Sequence, residues 1–424
     1  MPVRVGLRLT SLVRVPRRAR GPVLLRTKVA LCALGVALPL LSGTAQAQEC
    51  PDRAAPPPPV DTSEVPPPGE PSPGPLPVPE TPVGGDQLAG CDVLLPPGAP
   101  APPPEVTSAS WVLADLDTGE VLAARDPHAR HRPASTIKVL TALTALRELR
   151  LDDTIVATQE DANQEGSRVG LFPGTTYTVR DVLTGLILRS GNDAAHALAG
   201  KMGGVEATVD KMNALAASLG ALDTRAATPS GLDGPGMSTS AYDLAVIFRV
   251  AMQHPEFARI AGTEQAFLPG APGGPPIEVW SDNQVLRHYP GGIGGKTGFT
   301  DDARHTFIGA AERDGRRLVA VLMRGENQPV RQSKQAMQLL DYGFALGGGG
   351  VGELVTTSPA PPAETLPDER AVRAEPESAS MFGTVGGPLA LLAAAGVAVG
   401  AAVAVQRRRA ALARRRRSGG DDHP

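Results

Sequence analysis

"HTFIGAAERDGRRLVAVLMRG", residues 305–325, is two apolar runs of strand length on either side of Asp314-Gly315. An Asp-Gly pair between such runs is the signature of a tight hairpin, because both central residues of that turn need positive φ. A second hairpin is read in SWVLADLDTGEVLAARD, residues 110–126, where apolar and polar residues alternate around Asp117-Thr118-Gly119. Between the two lie helical spacings. STIKVLTALTALREL (135–149) places leucines at 140, 143, 146 and 149 and reads as a largely buried helix. TVRDVLTGLILRS, VEATVDKMNALAASLG and STSAYDLAVIFRVAMQ carry the same period, and a closing helix follows Gln328. Strands at both ends with helices between them predict a mixed α/β (α+β) domain, residues 106–347, whose first and last strands meet in one sheet covered by helices.

The flanks are different in kind. Residues 1–47 combine scattered basic residues, the apolar run VALCALGVALPLL and an Ala45-Gln46-Ala47 site, the pattern of a secretory signal peptide. That run, with Pro39 inside it, is too short for a membrane-spanning helix. Residues 48–105 are dominated by proline and predict a disordered, polyproline-rich spacer. Residues 348–380 read as a Pro/Glu/Ala-rich linker, and 381–405 form an uncharged apolar stretch long enough to cross a bilayer. The tail 406–424 begins QRRRAALARRRR, and arginines directly after a span stay on the cytoplasmic side. The expectation is an exported domain tethered to the cell membrane by its C-terminal helix.

Overall net charge is −3, from 41 basic and 44 acidic residues. The signal stretch holds 8 of the basic residues, and the tail holds 7 with 2 acids. The exported part keeps 26 basic and 42 acidic residues, a net of −16. So acidic a surface excludes nucleic acid as a natural partner. Cys32 leaves with the signal, so Cys50 and Cys91 remain as a candidate disulfide in an oxidising compartment, free thiols being the alternative. A lipid anchor at Cys50 is disfavoured, because AQEC lacks the small residue expected just before a lipidated cysteine.

For chemistry, absences come first. The chain has no H-E-x-x-H, no zinc-spaced Cys/His cluster, no G-x-S-x-G, no phosphate loop and no dinucleotide fingerprint, so neither metal nor cofactor is implied. What it has is Ser135 three residues before Lys138 in PASTIK. Positions i and i+3 share a helix face, and a desolvated, neutral lysine can take a serine proton. Alone, the pair reads first as an ordinary helix cap beside a solvated lysine. Two further triplets accompany it. Ser190-Gly191-Asn192 follows an apolar helix, and Lys296-Thr297-Gly298 precedes the late hairpin. S-x-x-K, an S-x-N triplet and K-T-G in that order form the motif set of penicillin-binding proteins and class A β-lactamases.

With these triplets in place, the chain resembles the serine-type D-alanyl-D-alanine carboxypeptidases, the low-molecular-mass penicillin-binding proteins. RPASTIKVLTALTAL, GSRVGLFPGTTYTVRDVLTGLILRSGNDAAHALA, TPSGLDGPGMSTSAYDLAVI and GIGGKTGFTDDARHTFIGAAERDGRRLVAV all look like family segments in family order. The resemblance implies a transpeptidase-like fold, a five-stranded antiparallel sheet beside a helical region with the site between them. It implies that Ser135 attacks the peptide carbonyl between the terminal D-alanines of a peptidoglycan stem, with Lys138 as base. Ser190 and Asn192 would relay protons and hold the substrate amide. Lys296 would supply positive potential, Thr297 and Gly298 would receive the substrate and its carboxylate, and the backbone N–H groups of Ser135 and Phe299 would form the oxyanion hole. β-Lactam antibiotics would acylate the same serine.

Three departures stand out. Phe299 follows K-T-G where the family is often polar, Gly295 replaces a bulkier apolar residue and should loosen its strand, and no β-rich C-terminal domain fits after the catalytic one. Two other readings remain open. A class A-like β-lactamase would need an E-x-x-L-N loop, which is missing. A catalytically silent peptidoglycan-binding module would not need its serine, lysines and asparagine intact.

Overall fold

The computed structural model describes residues 50–356, and in it Asp314 and Gly315 both take positive φ, 52° and 76°. Arg313 pairs directly with Arg316, so the turn holds two residues, as the Asp-Gly pair requires. In chain order the elements are β1 (Val93–Leu94), β2 (Ser110–Asp115), β3 (Glu120–Arg125), α1 (Lys138–Glu148), β4 (Thr154–Val156), α2 (Gln159–Ala162) and β5 (Thr176–Thr178). Helices α3 (Val179–Leu188), α4 (Asn192–Lys201), α5 (Val205–Ser218), α6 (Ala241–Gln253) and α7 (Pro255–Ala261) follow. The chain then forms β6 (Gln265–Leu268), β7 (Ile277–Trp280), α8 (Gln284–His288), β8 (Gly292–Thr300), β9 (Arg304–Arg313), β10 (Arg316–Gly325), α9 (Gln332–Ala345) and β11 (Gly352–Glu353).

The first and last hairpins do meet. β2 pairs with β10, giving five long antiparallel strands in the order β3-β2-β10-β9-β8. Two short strands, β1 and β11, extend this sheet to seven by pairing with the outer edge of β3. Central strands are apolar on both faces. Leu318, Ala320 and Leu322 of β10 pack with Trp111, Leu113 and the α9 residues Ala336, Leu339 and Leu340. Val319 and Val321 join the larger core with Val112, Ala114 and the helices α1, α3 and α6. This two-sided burial explains a difference from the sequence reading: all six residues of β2 are buried, although its stretch was read as alternating.

Local chemistry sets the helix starts near the site. Thr178 and Asp181 form a reciprocal capping box on α3, and Ser240 caps α6 through the Asp243 amide. The domain also reaches past residue 347, because Val351 and Leu354 are buried and β11 is paired. The expected signal peptide, membrane span and basic tail lie outside the described residues. Among the described residues no helix is long and apolar enough to cross a membrane.

The proline-rich stretch departs most from expectation. Residues 50–104 have little regular structure, yet they lie against the domain instead of hanging free. Leu88 is wholly buried, β1 joins the sheet, and Cys50 is disulfide-bonded to Cys91. Composition correctly says that such a segment cannot build a core of its own. What it lacks it obtains from the domain, because a proline carbonyl still accepts hydrogen bonds although proline donates none. The disulfide closes a loop of 41 residues in sequence separation, for which loop entropy gives up to about 4 kcal/mol. Replacing both cysteines by serine should therefore lower the unfolding free energy by a few kcal/mol in chemical denaturation. An unchanged midpoint and slope would show that the cross-link adds nothing to the folded domain.

Candidate active site

Ser135 sits in a 3-10 turn (Ala134–Ile137) that runs directly into α1, not at the head of the single helix read from residue 135. The turn is tight because Ala134 has φ 47° and the Pro133 carbonyl accepts from the Thr306 hydroxyl of β9 at 2.8 Å. Ser135 caps nothing: neither the turn nor α1 has a side-chain cap. Its Oγ lies 2.8 Å from Lys138 Nζ and donates weakly to the Ser230 carbonyl at 3.5 Å. Of the two readings of PASTIK, the i, i+3 contact is the one that forms.

Lys138 is fully buried, and its Nζ also donates to Asn192 Oδ1 at 2.7 Å and to the Ser230 carbonyl at 2.5 Å. Those carbonyls favour the ammonium. Burial opposes it, and the nearby Lys296 charge adds to that opposition, so the lysine is held well below its ordinary value despite the opposing charge of Asp193. Lys296 is itself buried, with its Nζ on the Thr297 carbonyl at 2.8 Å. Burial pushes it down to about 7, and Asp282 counters in part.

Ser190-Gly191-Asn192 joins α3 to α4. The left-handed residue ending α3 is Ser190, at φ 60°, and not the glycine expected to stop it. Ser190 is buried, and among the described residues its hydroxyl has no hydrogen-bond partner, so Lys138 joins Ser135 and Asn192 in one hydrogen-bonded set that does not include Ser190. Asn192 is oriented from its other end, where Nδ2 donates to the Glu165 carbonyl and its backbone N–H to that of Ser167. The next residue, Asp193, is saturated by the backbone amides of Val169, Gly170, Leu171 and Ala194 and fixes the loop that carries Glu165.

Thr297 and Gly298 lie on β8, the sheet edge facing Ser135. A Cβ on Gly298 would fall 2.9 Å from the Ser135 nitrogen, so only glycine lets the strand pass so close. The expectation that Gly295 loosens the strand is corrected. It has φ 146° beside a register shift, and a Cβ there would meet the Ile308 carbonyl at 2.0 Å, so the position is close-packed. Phe299 is half exposed, with its ring 4.6 Å from that of His305 and the Arg304 guanidinium 5.7 Å away. Beyond Thr297 and Gly298 a cavity of about 270 Å³ is also lined by His305, Asn327 and Arg331. Sequence reading missed Arg331, which among the described residues has no ion-pair partner. It also missed the Ser230 and Glu165 carbonyls, which no residue type announces.

A serine hydroxyl against a buried lysine amine, with a second buried lysine beside an open sheet edge, is the set of groups a serine acyl-transfer site needs. The profile of the D-alanyl-D-alanine carboxypeptidase family matches residues 98–327, and the chain belongs to that family. It is 51% identical over 260 residues to D-alanyl-D-alanine carboxypeptidase DacB2 of Mycobacterium tuberculosis, covering 60% of this chain and 88% of that one. A crystal structure of a D-alanyl-D-alanine carboxypeptidase from Mycobacterium tuberculosis H37Rv superposes with a TM-score of 0.58 at 49% identity, over 61% of this chain and 99% of that one. The Streptomyces K15 DD-transpeptidase gives 0.54 at 28% identity, over 58% and 100%. The fold is thus that of the penicillin-binding DD-peptidases, and the enzyme is a serine-type carboxypeptidase.

The two buried lysines carry a stability consequence. Between the folded value of Lys296, about 7, and its ordinary 10.5, the unfolded chain binds more protons than the folded one. Stability therefore rises with pH across that window, and the penalty is fully present below it. Lys296→Met should raise the melting temperature near pH 7, and the gain should shrink as pH approaches 10.5. Melts across the window that show no gain, or a constant one, would contradict a buried, strained cation.

Proposed function

We propose that this chain removes the terminal D-alanine from peptidoglycan stem peptides through an acyl-enzyme on Ser135. The observation that carries the role assignment is the fully buried Lys138 amine 2.8 Å from Ser135 Oγ, with Lys296 depressing its proton affinity. As Oγ forms its bond to the substrate carbonyl carbon, its proton passes to Lys138 Nζ. The backbone N–H groups of Ser135 and Phe299 receive the developing oxyanion. The carbon–nitrogen bond then breaks, and the leaving D-alanine amine takes a proton relayed from Lys138 through Ser190, whose hydroxyl is otherwise unengaged. Water, activated by the same lysine, hydrolyses the ester. Asn192 holds both Lys138 and the substrate amide. Thr297 and Arg331 line the cavity suited to the terminal carboxylate, and Lys296 supplies positive potential from beneath.

We further read the enzyme as exported by residues 1–47 and held on the outer face of the cell membrane by residues 381–405, with 406–424 cytoplasmic. Supporting this reading, Cys50 and Cys91 are paired, as an oxidising compartment favours.

Incubating the full chain with penicillin and following its intact mass should give one long-lived adduct on Ser135. Rapid turnover of the drug would favour a β-lactamase, and no adduct would refute both. Lys138→Ala should slow acylation by about a hundredfold or more while the fold survives, since positioned proton transfer contributes at least that much. Acylation by free enzyme should also decline as pH rises through about 7, where Lys296 loses its charge. Lys296→Arg, which stays protonated, should carry that decline to higher pH. A profile that does not move would remove Lys296 from its role.

A further inference from the structure

The segment before the family-matched region bridges two parts of the active site. On one side it holds Arg132, three residues before the nucleophile. Arg132 makes a forked pair with Glu64, its Nη2 donating to Oε2 at 2.8 Å, and its Nη1 donates to the Pro57 carbonyl at 2.6 Å. All its hydrogen bonds therefore go to residues 57–64, and it is only 3% exposed. On the other side the Val60 amide donates to Asp302 Oδ1 at 2.5 Å, and the Ser63 hydroxyl reaches Oδ2 at 3.4 Å. Asp302 stands in the turn leaving β8, three residues after Phe299.

A second anchor sits behind the first. Arg130 is wholly buried, with Nε on Asp223 at 3.0 Å and its two Nη atoms on the carbonyls of Ala54, Leu76 and Pro77. Its backbone N–H donates to the Asp52 carbonyl, and His131 between the arginines pairs with Thr239. The chain is thus pinned at three consecutive residues, 130 to 132, and most of the pins come from the proline-rich segment.

We propose that residues 57–64, through Glu64 on Arg132 and Val60 on Asp302, are a positioning strap that sets the nucleophile turn against strand β8. This rests on the proposed oxyanion hole, whose two donors, Ser135 N–H and Phe299 N–H, lie one on each of the strapped parts. The strap touches neither substrate nor reacting atoms. It acts by fixing the gap between two donors, and a displacement of about 1 Å at such a site costs up to a hundredfold in rate. The fork matters as well as the charge, because a planar guanidinium on a carboxylate fixes orientation where an ammonium does not.

The test is acylation of the full chain by a fluorescent penicillin, separating noncovalent affinity from the acylation rate constant. Glu64→Ala, Arg132→Lys and Val60→Pro, the last removing the donor to Asp302, should each lower the rate constant by about tenfold, with affinity and pH profile unchanged. Combining Glu64→Ala with Arg132→Lys should add little to either alone. Glu70→Gln, an exposed change on the same segment, should leave the rate as it was. Wild-type rates in the three variants would overturn the proposal. So would losses confined to affinity, or losses that merely follow a lowered melting temperature and active fraction. Failure of the wild-type chain to label on Ser135 would instead refute the functional reading beneath it.

Discussion

Two lysine ammonium groups cannot share a dry pocket cheaply, and the architecture of this enzyme follows from making them do so. Desolvation disfavours each charge, and proximity makes the second worse than the first. Burial lowers both, and the Lys296 charge lowers Lys138 further, which favours a neutral Lys138 amine. The arrangement needs the lysines on separate rigid elements. Lys138 begins α1, whose far side is buried in the larger core, and Lys296 is on β8, hydrogen-bonded along its length to β9. Asp193, whose charge favours the Lys138 ammonium, is occupied by four backbone amides and does not pair with it. Pairing would have favoured the charged form of Lys138 and opposed the base role proposed for it.

Legibility in the sequence follows the range of the interaction. The hairpin at Asp314-Gly315 is written locally, as is the i, i+3 approach of Ser135 to Lys138, so both are readable from short stretches. The meeting of the sheet's ends could be inferred because strands bracketed the helices, but the two-residue strands β1 and β11 have no periodicity to show. Asn192 and Lys296 carried weight only through the motif set and the resemblance, since neither spacing dictates that they converge on Lys138. The Ser230 carbonyl, bonded to Lys138, has no signature at all, because every residue has one. Ser190 shows the opposite failing. A glycine beside it invited the wrong residue as helix stop, although the backbone places the positive φ on the serine.

The same rule explains why the proline-rich segment was misread. Low apolar content correctly predicts that it makes no core, but order can come from donors elsewhere. A polyproline chain is already extended, so little conformational entropy remains to be lost on docking, and its carbonyls are not claimed by internal hydrogen bonds. Buried arginines are suitable partners, each with several donors in a fixed fork and no acceptor. The Arg130 and Arg132 guanidinium groups satisfy between them five acceptor groups on this segment: the carbonyls of Ala54, Pro57, Leu76 and Pro77, and the Glu64 carboxylate.

That dependence runs both ways, which ties the segment to the chemistry and not only to stability. A guanidinium does not deprotonate, so burying one requires permanent acceptors. Arg130 keeps Asp223 Oδ1 without the segment, the other oxygen of that carboxylate being held by His128 at 2.9 Å. Arg132 keeps no hydrogen bond at all. With its acceptors gone only the charges of Asp302 and Asp233 act on it, and the backbone between it and Ser135 is only two residues, one of them the positive-φ Ala134. On the proposed strap, a movement of Arg132 bears on the backbone N–H of Ser135, one of the two donors assigned to the oxyanion.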